Sequence, residues 1–337
     1  MPGIQIITKE CGHGCAHQSI CTCSSHSSSS SSCGCRVECS IAAPAVCHDV
    51  SILLDHLNAL AFPSVQYTCA PHPPISCCPA EDKNLPLAFA YNSRLIRDEL
   101  HHNLLAYLAE GVHPSLFTDG SAGAKILTAR QLIAVDRLDG YHALQCIVYG
   151  TLLLSINAAL LEDTPRNKCL DGQRLWTVTS PPCGGHSASL ECRVGGSSAV
   201  VLDLHPTTVV SNELMDAILA VVKIGTAYDS SRGRVICEKS TDSCLHYDAL
   251  ALLGQVWTRF AKDAYRKEPM VRFVVLSNLE RSIVFHRKTG EIAVSHAIHR
   301  DGLSTPRDSV QNLYSLILAL SVLEKHQYSH PALVDLL

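Results

Sequence analysis

Apolar residues recur at helical spacing through the first half of the chain and in short alternating runs through the second, and this change of period is its first organising feature. In "VCHDVSILLDHLNAL" (residues 46–60), Val50, Leu53, Leu54, Leu57 and Leu60 share one helical face. A Pro-rich stretch from Pro63 to Pro86 then breaks regular structure. Helical spacing resumes in "SRLIRDELHHNLLAYLAEGV". Ser93 is the expected N-cap, Leu95, Leu100, Leu104, Leu105 and Leu108 form the stripe, and Gly111 closes the last turn. His101 and His102 are adjacent there and diverge by about 100° around the axis, so they do not chelate together. A further helical pattern, "TARQLIAVDRLDG", leads into the apolar run Tyr141 to Leu161.

That run carries no Asp, Glu, Lys or Arg over a length able to span a bilayer. Gln145, Ser155 and Asn157 interrupt it, and its flanks lack the one-sided Lys/Arg excess that orients a span, so a buried helix is expected and no membrane span. A polar connection, "DTPRNKCLDGQRLW", then reads as a boundary near Trp176. Beyond it, "SASLECRV", a "GGSS" turn and "AVVLDLHP" predict a hairpin. A helix follows in "SNELMDAILAVVKIG", with Ser211 as N-cap and Gly225 as terminator. After the turn "DSSRG" come the strand "RVICEKS", the helix Tyr247 to Lys267 with Leu250, Leu253, Trp257, Phe260, Ala261 and Ala264 on one face, and three β-rich runs within Val271 to Val294. The last turn among these, "RKTG", is built on Gly290. A final helix starts near Ser309.

The C-terminal half thus reads β-β-α-β-α-β-β-β-α, an α/β sheet layered with helices. Three regions are expected: a Cys/His/Ser-rich tail over 1–45, a helical region over 46–175 and an α/β domain over 176–337. Eleven of the 17 cysteines fall within residues 1–78, so the cysteine excess belongs to one region. The N-terminus lacks the basic segment and apolar run of a signal peptide, so reduced thiols and an intracellular site, cytoplasmic or nuclear, are expected. The tail is too rich in Ser, Gly and Cys to bury a core, and disorder is expected there. Its Cys11, Cys15, Cys21, Cys23, Cys33, Cys35 and Cys39, with His13, His17 and His26, offer soft donors for zinc or copper(I), although the spacing is C-x-C and C-x3-C and lacks paired C-x2-C knuckles. The net charge of -4 supplies no global attraction to phosphate, so a protein or nucleic-acid partner would be met through a local patch.

Chemistry concentrates at the strand ends. Successive strands ending in Asp, then Glu with a nearby Lys, followed by a helix that packs back, is the layout of restriction-endonuclease-like folds, where two carboxylates hold Mg²⁺ and the Lys positions the attacking water. The candidates are Asp203, Glu238 and Lys239, with Gln255 on the next helix. That chemistry needs E-x-K, because only i and i+2 of a strand face one site. Glu238 and Lys239 are adjacent and face opposite sides of a regular strand, while Asp203-Leu204-His205 alternates correctly with His where an ammonium belongs. "CGGH" (Cys183 to His186) and "GSAGAK" are turns: the first sets a thiol beside its imidazole in sequence, and the second lacks G-x4-G-K-[ST].

The segment from about Arg234 to Leu323 resembles the region that precedes the kinase lobes in fungal-type protein kinases. The carriers are the acid-ended strand "VICEK", the helix "GQVWTRFAKDAY", the strand "VRFVVL", the Arg-ended strand "SIVFHRKTG" and the closing apolar helix. The resemblance covers under a third of the chain and implies a restriction-endonuclease-like mixed sheet with flanking helices. Neither a Gly-rich phosphate loop nor V-A-I-K, H-R-D or D-F-G occurs, so kinase chemistry has no support. Three functions follow as expectations: a non-catalytic binding or regulatory protein on a degenerate nuclease-like domain, an Mg²⁺-dependent nuclease using Asp203, Glu238 and Lys239, or a thiol-rich metal-binding adaptor acting through residues 11–39.

Overall fold

The computed structural model describes residues 88–109, 144, 146–153, 156–157, 175–179, 188–194, 197–229, 234–237, 243–262, 271–288, 290–302 and 310–327. The chain divides into two units, 1–45 and 46–337, and all described residues belong to the second. The tail cysteines, the patterns at 46–60 and 113–140, the "CGGH" and "GSAGAK" turns, and Glu238 with Lys239 lie outside the described residues.

The fold is mixed α/β. Its elements in chain order are β1 (Ala88–Tyr91), α1 (Ser93–Ala109), a π-helical turn (Tyr149–Leu153), β2 (Leu175–Thr179), β3 (Ala188–Val194), β4 (Ser197–Leu204), α2 (Asn212–Ile224), β5 (Thr226–Asp229), β6 (Arg234–Cys237), α3 (Cys244–Lys262), β7 (Phe273–Ser277), β8 (Arg281–Lys288), β9 (Glu291–Val294), β10 (Ile298–His299) and α4 (Leu313–Gln327). One sheet runs β2-β3-β4-β7-β8-β9-β1-β5-β6, and β10 adds to β8. Among the described strands, only β4 with β7 and β1 with β9 pair in parallel. The hairpin expected at "GGSS" forms as β3 and β4, with a register shift at Cys192/Arg193.

Strand alternation sorts the sheet into two cores. Val200, Leu202 and Leu204 of β4 join Phe273, Val275 and Val284 against α1, α4 and the π-helical turn. Val201, Val274, Leu276, Ile283 and Phe285 face the opposite way, against α2 and α3. Strands β7 and β8 are therefore apolar on both faces, as centrally placed strands covered twice must be.

Several expectations are met in detail. Ser211 caps α2, its side chain accepting from the Leu214 N–H at 3.2 Å. Gly225 ends the helix at φ 119°, a conformation L side chains rarely adopt, and Gly290 turns β8 into β9 at φ 84°. In the apolar run, Leu144, Val148, Leu152, Leu153 and Ile156 are buried in the first core. Asn157, one of the polar residues that argued against lipid, grips the Trp176 backbone from both sides: its Oδ1 accepts from Trp176 N at 3.0 Å and its Nδ2 donates to Trp176 O at 3.2 Å. No helix of the described residues is long and apolar enough to cross a membrane.

Other expectations need correction. Helix α1 is capped by Asn92, whose Oδ1 accepts from Leu95 N at 3.2 Å, and Ser93 is its first residue. Leu95 is exposed, and the stripe instead runs through Ile96, Leu100, Leu104, Tyr107 and Leu108. Trp176 is buried in the same cluster as α1, and its Nε1 donates to Ser321 Oγ of α4 at 2.8 Å. Strands β1, β2, β5 and β10 were absent from the expected order, yet β2 extends the β3–β4 hairpin and β1 sits between β9 and β5, joining the two parts of the sheet.

Candidate functional site

Asp203 stands at the second-last position of β4, paired with Ser189 of β3 and Leu276 of β7. Alternation from Val201 turns it toward α3, in which Arg259 lies two positions after Trp257, a fully buried anchor of the second core. The guanidinium meets the carboxylate as a fork: Nε to Oδ2 at 3.0 Å and Nη2 to Oδ1 at 2.8 Å. Asp203 and Arg259 side chains are 5% and 13% exposed, so this is a buried, two-pronged ion pair. Each carboxylate oxygen accepts one guanidinium hydrogen bond, so a divalent cation bound there would have to share the carboxylate with a fixed positive charge.

His205, two residues on, completes the group. Its backbone N–H donates to Ser277 O of β7 at 2.9 Å, while its side chain is buried with no hydrogen-bond partner at Nδ1. Burial pushes its pKa down to about 4, with Asp203 opposing and Arg259 adding to the shift. The imidazole is thus neutral at pH 7. The alternation D-x-H seen in the sequence is real, but it brings a neutral ring beside an ion pair and supplies no ammonium.

A second polar group lies on the opposite core. Glu99 of α1 receives Lys288 Nζ of β8 at 2.9 Å on Oε2, and His286 Nδ1 stands 3.0 Å from the same oxygen, off the alignment of a well-formed hydrogen bond. His286 is buried and stacks on Phe273 at 3.9 Å between centroids. Burial opposes the Glu99 charge, but the His286 and Lys288 contacts outweigh it together and hold the carboxyl at about 2. Burial also lowers the His286 pKa, against the pull of Glu99.

Of the remaining sequence candidates, Gln255 is described, and Glu238 and Lys239 lie outside the described residues. Strand β6, after which Glu238 and Lys239 follow, is the last strand of the sheet, with β7, β8, β9, β1 and β5 between it and β4. At about 4.8 Å per strand, β4 and β6 are some 29 Å apart along the sheet. Gln255 lies on α3 and is half-buried, one turn before Arg259. The structure therefore joins Asp203 to Arg259 and His205, and it does not join β4 to β6. Among the described residues no group of three or more His, Cys, Asp or Glu could hold a metal ion. Sequence reasoning missed Arg259 because one Arg in "VWTRF" carries no spacing signal, and it missed the Glu99 group because Glu99 lies 187 residues or more before His286 and Lys288 in the chain. No protein-family model, curated protein or solved structure matches the chain.

Proposed function

We propose that the chain is a non-catalytic binding or regulatory protein built on a degenerate nuclease-like α/β layer, akin to the region that precedes the kinase lobes of fungal-type protein kinases. The Asp203–Arg259 fork carries this reading. A carboxylate holds Mg²⁺ best where no fixed positive charge lies against it and a second carboxylate or a substrate phosphate shares the ion. Asp203 is already neutralised by the Arg259 guanidinium against both its oxygens, and its neighbour His205 is neutral. The acid that a nuclease would use at the end of β4 serves instead as a brace between the sheet and α3. Binding to a protein or nucleic-acid partner then falls to a local surface patch, since the overall charge of -4 attracts neither class broadly.

The test is incubation of the full chain with single- and double-stranded DNA and RNA in Mg²⁺ or Mn²⁺, beside Glu238→Ala and Asp203→Asn. No metal-dependent cleavage above the level of the variants is expected. Cleavage by the parent chain that either substitution abolishes would make the protein a nuclease and overturn the proposal.

A further inference from the structure

We draw no further inference here: the strongest candidate, the exposed apolar patch of Tyr91 and Leu95 at the junction of β1 and α1, where Lys223 of α2 stands 4.5 Å from the centre of the Tyr91 ring, carries nothing, because nothing in the structure shows what covers it.

Discussion

Each face of the sheet holds a carboxylate in an ion pair, Asp203 on one and Glu99 on the other, and they do so differently. On the α2 and α3 face, Asp203 is closed off by one Arg in a two-pronged fork, and His205 beside it stays neutral without a side-chain partner at Nδ1. On the α1 and α4 face, Glu99 is shared between Lys288 and His286, with Lys288 still 32% exposed. Local dielectric separates them: a fully enclosed pair interacts strongly and is costly to break, whereas a pair near water is screened and replaceable. The first group reads as a brace inside the core. The second reads as a clasp at its rim, tying α1 to β8.

The largest expected effect comes from breaking the brace on one side only. Arg259→Met should cost about 3–5 kcal/mol in urea unfolding by leaving the Asp203 charge buried and alone, and Asp203→Leu made with it should recover much of that loss. If the double variant is no more stable than Arg259→Met, the pair is not coupled and the comparison fails.

Acid sharpens the contrast. His205 titrates at about 4 when folded against 6.5 when unfolded, so the unfolded chain takes up the proton first as pH falls. Stability is therefore full above pH 6.5 and declines toward pH 4, by roughly 3 kcal/mol at most. His286 and His299 are also lowered, so they add to the same trend. Glu99 titrates at about 2 when folded against 4.5 when unfolded, so its contribution is present above 4.5 and is lost as pH falls toward 2. Chemical denaturation across pH should show the two windows in succession, and His205→Gln should shrink only the upper one.

Smaller effects follow. Glu99→Gln should cost about 2 kcal/mol by removing the negative charge that Lys288 pairs with, and should erase most of the lower acid window. Ser211→Ala removes the α2 cap and should cost about 1 kcal/mol at any pH from 5 to 8. A cap effect equal to that of Glu99→Gln would show that the clasp contributes no more than an ordinary helix end.

Much of the fold was legible in local chemistry. Ser211, Gly225 and Gly290 mark helix and turn ends because cap and φ requirements are local, and the runs of β7 and β8 announce strands because both faces are buried. Strands β1, β5 and β10 were not legible: they have two to four residues each and owe their form to neighbours distant in sequence. The strand "RVIC" alternates as its residues predict, with Val235 and Cys237 on one face and Ile236 on the other. It lies at an edge with Ile236 and Arg234 exposed, not in a doubly covered centre, because burial depends on where the sheet ends. Asp203 was legible as a strand-end acid. Its partner Arg259, 56 residues away, was not, and the partner decides what the acid does.

The most direct test of that decision is thermal unfolding of the parent chain and of Asp203→Asn in Mg²⁺, in Mn²⁺ and in chelator. If Asp203 braces the sheet against α3, the parent melts at the same temperature in all three and Asp203→Asn melts lower in all three. A parent chain stabilised by the metals, with that gain lost in Asp203→Asn, would contradict the account and return Asp203 to metal chemistry.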